Sequence, residues 1–404
     1  MTDGYAKGPM YGLTIIDLTQ IYNGPYATYL AAMAGARVIK VEPLDGEHLR
    51  KRSATSGAAL PFALLNGNKE AIALDLKRDE GKRVLLELID RADVVVENFA
   101  PGVMDRLGLG RELVRQRNPR IVYASGSGYG QTGPYRNYPA MDLTVQAMSG
   151  AMSITGLAGG PPLKAGPAIC DFFGGVHLYA AIATALLDRE RTGRGRVVEV
   201  SMLEAVYHSL SSSLGLLYDS GGTSQMRTGN RHGGMSLAPY NVYPTADGHI
   251  AIICNNDVHW KSLARVMGCP ELPTDSRFRT MRDRVANMDE LDELVQRWTS
   301  TLGKNELFGR LVNERVPCAP IKSVAEVAND PHLRERGMLV DICHPEFGDI
   351  TVAHSPLRFP DSPMATLRPS PRLGEHTASI LRDFLKYGPD QVAALWAAGA
   401  AKTG

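Results

Sequence analysis

Gly12-Leu-Thr-Ile-Ile-Asp-Leu-Thr19 is followed by Asn23-Gly24-Pro25, by Tyr26-Ala-Thr-Tyr-Leu-Ala-Ala-Met-Ala34 and, past Gly35-Ala36, by Arg37-Val-Ile-Lys-Val-Glu42. The first and last runs are rich in β-branched residues and read as strands. The middle run is built of helix formers and is stopped by Gly35. Strand, helix and strand within about thirty residues make a βαβ unit, whose two strands lie parallel in one sheet.

The alternation recurs. Ala71-Ile-Ala-Leu-Asp75 reads as a strand, Asp79 to Asp90 as a helix with Leu85, Leu86, Leu88 and Ile89 supplying its apolar face, and Ala92-Asp-Val-Val-Val-Glu97 as a buried strand. Ile121-Val-Tyr-Ala-Ser-Gly126, the apolar helix Asp171 to Arg189 and Val197-Val-Glu-Val-Ser201 complete the series. The expected fold class is α/β, with a doubly wound, Rossmann-like large domain. The glycine-rich stretch from Gly221 to Gly234 leads into a smaller α+β domain. Two short strands flank a turn at Ala246-Asp247-Gly248, and helices follow at His259 to Met267, Met288 to Thr301 and Lys304 to Glu314. The tail carries Asp349-Ile-Thr-Val-Ala353, Leu357-Arg-Phe359 and a helix from Ala378 to Tyr387. The expected division is 1–220 for the first part of the large domain, 221–328 for the small domain, and 329–404 returning to the large one.

Composition narrows the function. The 404 residues carry 44 Lys and Arg against 43 Asp and Glu, a net charge of +1, which argues against a nucleic-acid binder with a broad basic face. A local basic pocket for a small anion stays open, because a few Lys and Arg converge without moving the total. The triplet Arg50-Lys51-Arg52 reads equally as such a pocket or as a surface cluster. Cys170, Cys254, Cys269, Cys318 and Cys343 are scattered, which fits a reduced, cytoplasmic protein with no disulfide framework and no metal site. Met1-Thr-Asp-Gly-Tyr-Ala-Lys7 lacks the pattern of a signal peptide, and apolar runs such as Leu178 to Leu187 fall short of the ~20 residues that cross a bilayer. No membrane partner is expected.

Phosphate loops, serine-hydrolase elbows and zinc helices have no match. Gly126-Ser-Gly-Tyr-Gly130, at a strand end, reads either as a place where a ligand approaches backbone closely or as a tight loop. The decisive signal is a series of motifs in fixed order: Asp17-Leu-Thr, Gly24-Pro25, Asn68-Lys69, Leu74-Asp-Leu-Lys77, Glu97-Asn-Phe-Ala-Pro-Gly102 and Arg106-Leu-Gly108. Gly128-Tyr-Gly-Gln-Thr-Gly-Pro134, Gly166-Pro-Ala-Ile-Cys-Asp171, Thr192-Gly-Arg-Gly-Arg196, Asp247-Gly248, Asp330-Pro331 and Gly374-Glu-His-Thr377 follow. With these the chain resembles, along nearly its whole length, the class III CoA-transferase (CaiB/BaiF) family, which includes formyl-CoA transferase, carnitine CoA-transferase and α-methylacyl-CoA racemases.

The resemblance implies a nucleophile at Asp171. That carboxylate attacks a donor thioester, forms a mixed anhydride and then carries CoA as an aspartyl thioester until a free carboxylic acid takes it. Asp171 begins an apolar helix, whose dipole favours an ionised carboxylate, and Gly174 and Gly175 leave room for a thioester. Read by itself, Asp171 is equally an N-cap. Asp142 either orients the site or caps a helix. In the racemases a histidine precedes that acid; Met141 stands there and moves no proton, which argues for transfer. Ile21, Tyr22, Asn23, Leu74, Lys77, Asn98, Phe99, Arg106 and Asp142 are carried over as CoA-binding positions. Phe99 and Leu74 suit the adenine, and Lys77, Arg106 and nearby Arg136 suit the phosphates. Read alone, Lys77 and Arg106 are solvated helix-face cations. Tyr22 and Pro43 stand where relatives often carry glutamine or arginine. Gly229 to Ser236 is either a lid over the aspartate or a linker, with Arg231 and His232 the residues to watch for an acceptor carboxylate. His177 reads as a core histidine.

The resemblance further implies an interlocked homodimer, acyl-CoA (succinyl-CoA is one candidate) and a small carboxylic acid as substrates, and no prosthetic group. Two rivals stand beside transfer: an acyl-CoA racemase or epimerase, and a catalytically idle CoA-binding protein.

Overall fold

The computed structural model describes residues 8–51 and 60–403; Arg52 of the basic triplet and Met1 to Lys7 lie outside the described residues. The chain forms two compact units: Met1–Met148, Pro167–Val206 and Asp330–Gly404 make the first, Ser149–Gly166 and Tyr207–Asn329 the second.

In the first unit β1 (Thr14–Asp17), α1 (Asn23–Met33) and β2 (Arg37–Glu42) are the opening βαβ, with β1 and β2 parallel. Gly35, at φ +100°, supplies the left-handed residue that ends α1. β3 (Glu70–Leu74), α2 (Asp79–Ile89), β4 (Val94–Glu97), α3 (Arg111–Arg117) and β5 (Val122–Ser127) continue the series. It closes with α4 (Asp142–Met148), α5 (Ile169–Thr192) and β6 (Val197–Ser201). Side chains alternate across each strand, so Ile15 and Ile16 serve opposite cores. Ile15 packs in a cluster with Ala27 and Ala31 of α1 and Leu178 and Ile182 of α5. Ile16 belongs with Val84 and Leu88 of α2 and Val114 of α3. Helices therefore cover both sheet faces, which is why β4 reads as an unbroken apolar run.

The second unit holds a hairpin, β7 (Tyr240–Thr245) and β8 (Gly248–Ile253), with β9 (Cys318–Pro320) antiparallel to β8. α6 (Asp257–Val266), α7 (Met288–Thr299) and α8 (Lys304–Asn313) pack on it around Trp260, Phe278, Leu291, Val295 and Leu307.

The chain then returns to the first unit through the hairpin β10 (Leu339–His344) and β11 (Gly348–Ala353), and through α9 (Pro389–Ala397) to β12 (Ala401–Lys402). β12 adds antiparallel to β3, and the sheet order is β12-β3-β2-β1-β4-β5-β6. The run 3-2-1-4-5-6 is the doubly wound order, with its topological switch between β1 and β4.

Three details depart from the sequence reading. Leu357-Arg-Phe359 forms no strand. The expected helix from Ala378 is one α turn, Thr377–Ser379, followed by a π turn over Ile380–Phe384. α5 runs 24 residues, and by length and composition it is the one helix among the described residues able to cross a bilayer. Leu178, Ile182, Ala185 and Leu186 of this helix lie in the core shared with α1 and the sheet, while Phe172, Phe173, Val176 and Leu187 are exposed.

Candidate active site

In open α/β sheets ligands settle beyond the carboxyl ends of the strands, at the switch point. The loops that leave β1, β4 and β5 meet there. Gln20, Ile21 and Asn23 after β1, Asn98 after β4, Gly126 and Ser127 at the end of β5 and Gly128 just past it line a small cavity of about 110 Å³ together with Ala140, Met141, Asp171 and Met202. The glycines are required by close approach. A Cβ on Gly128 would fall 2.0 Å from that of Ala140, and one on Gly126 would fall 2.4 Å from Asn23 Oδ1. That Oδ1 atom is buried and unpartnered, while Asn23 Nδ2 donates to the Asp171 carbonyl at 3.3 Å. Ile21, a β-branched residue at φ +67°, is strained at this wall.

Asp171 is 8% exposed, in the first turn of α5. It does not cap that helix. The N-cap is Ala168, and the side chain that caps is Asp142, whose Oδ1 accepts from Cys170 N at 2.9 Å and Asp171 N at 3.3 Å. Asp142 thus caps α5 from another segment, through backbone N–H groups that include that of Asp171. No hydrogen bond from the chain reaches the Asp171 carboxyl among the described residues, so its oxygens are available to a ligand. Burial, and then the neighbouring Asp142 charge, push Asp171 up to about 7. The helix dipole alone points the other way, and desolvation outweighs it. Cys170 beside it is a poor nucleophile, because burial pushes its thiol up to about 12.

Gly174 and Gly175 serve a different purpose from the expected one. Cβ atoms there would meet Asn23 Nδ2 at 2.1 Å and Asn23 O at 2.6 Å, so the glycines admit α1 rather than a thioester. His177 is exposed, not in the core, and its Nδ1 lies 2.8 Å from Phe173 O. Met141, 51% exposed, lines the cavity and offers no proton.

Most of the carried-over CoA positions line the Asp171 cavity or one of two grooves near it. Leu74, Lys77 and Phe99 line one of about 480 Å³ with Leu18, Val41 and Leu107. Phe99 also lines a neighbouring groove of about 400 Å³ with Asn98, Arg106, Arg136 and Tyr138, and this groove shares Ser127, Gly128 and Ala140 with the Asp171 cavity. Lys77 and Arg106 therefore stand on different grooves, joined by Phe99. Tyr22 lines none of them; its ring stacks on Phe172 at 6.0 Å, next to Asp171. Arg50 of the basic triplet is spent on a bidentate pair with Glu42, at 2.8 Å for both bonds. Lys51 pairs with Asp45 on the surface.

Sequence reasoning missed Glu47, whose Oε2 accepts from Ile21 N at 3.3 Å and so holds the strained residue. It also missed the pair of bonds between Asn98 and the Gln20 backbone, 2.9 Å each way. In the second unit, Arg231 is already committed to Asp289 at 2.7 Å and to Asp292 at 2.7 Å, and Tyr243 and Asn241 also donate to Asp292. It anchors the Gly229 to Ser236 segment instead of standing free for a carboxylate. His232 is held by Gly234 N, Ser236 and the Tyr240 ring.

Comparison with known proteins gives the family. Residues 10–377 match the family model for CoA-transferase family III. The acetyl-CoA:oxalate CoA-transferase of Acetobacter aceti is 40% identical over 387 residues, covering 95% of this chain and 97% of that one. The formyl-CoA:oxalate CoA-transferase of Streptomyces coelicolor is 38% identical, over 96% and 98% of the two chains. The succinate–glutarate CoA-transferase of Agrobacterium fabrum is 35% identical over 93% and 96%. A CaiB/BaiF family protein from Brucella suis has a solved structure with a TM-score of 0.81 at 34% identity, covering 93% of this chain and 99% of that one. With the whole motif series, the sheet order and these relatives in agreement, the chain belongs to the class III, CaiB/BaiF, CoA-transferases, enzymes that take acyl-CoA as substrate.

Proposed function

We propose that the enzyme moves CoA from an acyl-CoA donor to a free carboxylic acid through Asp171. The Asp171 carboxylate adds to the donor thioester carbonyl and expels CoA thiolate, which leaves a mixed anhydride. The thiolate then attacks the aspartyl carbonyl, releasing the donor's acid and forming an aspartyl-CoA thioester. The acceptor carboxylate repeats the two steps in reverse, and Asp171 is regenerated. The observation that carries this reading is a buried carboxyl, without a hydrogen-bond partner among the described residues, lining a strand-end cavity that shares residues with a Phe99 groove. Arg106, Arg136 and Lys77 line those grooves and suit the phosphates of CoA. The named relatives act on oxalate, succinate and glutarate. We take the acceptor here to be a dicarboxylate of that kind, with succinyl-CoA a candidate donor. Met141 at the cavity disfavours racemisation.

Incubation with acyl-CoA and hydroxylamine is expected to convert Asp171 to a hydroxamate, located by peptide mass spectrometry. An unmodified Asp171 in enzyme that is losing activity would overturn the covalent route. The reading includes an interlocked homodimer, a cytoplasmic setting and no prosthetic group. Light scattering should give twice the 43.8 kDa chain mass, and a monomer that turns over would remove the dimer from it.

A further inference from the structure

We infer that Glu97 is a positioning residue for CoA, holding the Asn98–Phe99 turn from behind the groove. Glu97 ends β4 and is buried, and the chemistry above makes no use of it. Its Oε2 accepts the Phe99 N–H at 2.9 Å, across two residues, so the carboxyl closes the turn that leaves the strand. Its Oε1 accepts from the Ser125 hydroxyl on β5, opposite it in the sheet register. One side chain therefore ties the start of the loop to the rigid sheet.

The consequence runs outward along the chain. Asn98, within that turn, makes both bonds to the Gln20 backbone, and Ile21 beyond it is held by Glu47. Asn98, Gln20 and Ile21 are three walls of the Asp171 cavity, while Phe99 lines both adjoining grooves. Releasing the Phe99 N–H leaves that donor unsatisfied and lets the ring leave the position it shares between the grooves. The inference rests on the proposal that these grooves take CoA, and it adds what keeps their central ring in place.

Calorimetry with CoA and steady-state kinetics with an acyl-CoA test it on the full-length enzyme. Glu97→Ala removes the acceptor, and Glu97→Asp draws it back by about one bond length, roughly 1.5 Å. Both are expected to weaken CoA binding, and raise the acyl-CoA KM, about fivefold to tenfold, as one lost buried hydrogen bond implies. Their kcat stays within about twofold of wild type. Glu97→Gln keeps an oxygen for Phe99 N–H and is expected to bind CoA within about twofold of wild type; this rescue separates geometry from charge. Wild-type affinity in both the alanine and aspartate proteins overturns the inference, as does a glutamine protein as weak as the alanine one. Glu97→Asp and Glu97→Gln decide the matter if the alanine protein does not fold. A wild-type enzyme that binds no CoA would instead bring down the underlying function.

Discussion

Replacing Asp171 by alanine is expected to lower CoA transfer by at least about 10⁴-fold while leaving CoA affinity within a few-fold of wild type. The two halves of that result have separate causes. No neighbouring group replaces the nucleophile: Cys170 is buried with its thiol pushed up, Asp142 is spent on the helix terminus, and of the cavity's lining Met141 is unreactive and the Ser127 hydroxyl, which accepts from Gly130 N, has no base beside it there. The grooves around Phe99, by contrast, contain no atom of Asp171. Loss of CoA binding together with turnover would show instead that the carboxyl shapes the groove, and retained turnover would end the nucleophile assignment.

The same carboxyl sets a pH dependence. In the proposed mechanism only ionised Asp171 attacks the thioester, and burial and then Asp142 hold it up to about 7, so kcat should rise with pH through about 7 and level off above it. Asp142→Asn removes the second of those causes and should slide the midpoint toward acid. The sign for stability is opposite. A carboxyl raised from 3.8 to about 7 makes the folded state hold a proton that the unfolded state has lost, so stability falls as pH climbs between those values. At roughly 1.4 kcal/mol per pH unit the ionised site carries a handicap of about 4 kcal/mol above pH 7. Asp171→Asn, neutral throughout, should then melt higher than wild type at pH 8, with little difference near pH 4. Equal melting at both pH values would show that Asp171 is not strained by ionisation.

What the sequence makes legible follows from how local each cause is. The β1–α1–β2 unit is visible because strand composition, helix formers and the Gly35 stop act within one stretch, and the observed ends fall within a few residues of the reading. The hairpin around Asp247 is visible for the same reason. The site is half visible. Asp171 stands out through a motif, but its cap comes from Asp142, 29 residues away, and no pattern along the chain signals a carboxyl that caps another segment's helix. Asn98 meets Gln20 across 78 residues, a meeting created only when β4 pairs with β1. Gly174 looks like room for a ligand until Asn23, from α1, is seen to fill it. Arg231 has the chemistry of a carboxylate receptor, and its actual partners, Asp289 and Asp292, lie a turn apart on α7. Residue type foretells what a group is able to bind; topology decides which partner reaches it first.

The largest effect away from Asp171 is expected at Lys69, a residue whose motif gives no hint of its function. Its ammonium is fully buried and shares its three N–H groups among four acceptors, Asp17 Oδ2 at 3.0 Å, Thr28 Oγ1 at 2.8 Å, Asn66 Oδ1 at 2.9 Å and the Pro25 carbonyl at 3.1 Å. Asp17 ends β1, accepts from Thr19 and Thr28, and is held well below the carboxylate range: burial pushes it up, but Lys69, Lys40 and both hydroxyls outweigh burial. Burial pushes Lys69 itself down to about 8 against the pull of Asp17. The pair thus ties β1, the start of α1 and the segment before β3 beneath the loop that carries Ile21. Lys69→Met leaves the Asp17 charge in a dry site with one cation fewer, and should cost about 3–5 kcal/mol in urea unfolding. Adding Asp17→Leu removes the stranded charge and should recover much of that loss, since an apolar pair of similar volume is often neutral in such a place. A single mutant within about 1 kcal/mol of wild type would mean that water reaches Asp17. A double mutant no better than the single would mean instead that the buried Lys40, left without Asp17, together with Thr28 and Asn66, carries the loss. In the expected case the double mutant regains stability but not full kcat/KM, because the hydrogen bonds that fix the first loop of the Asp171 cavity depart with the pair.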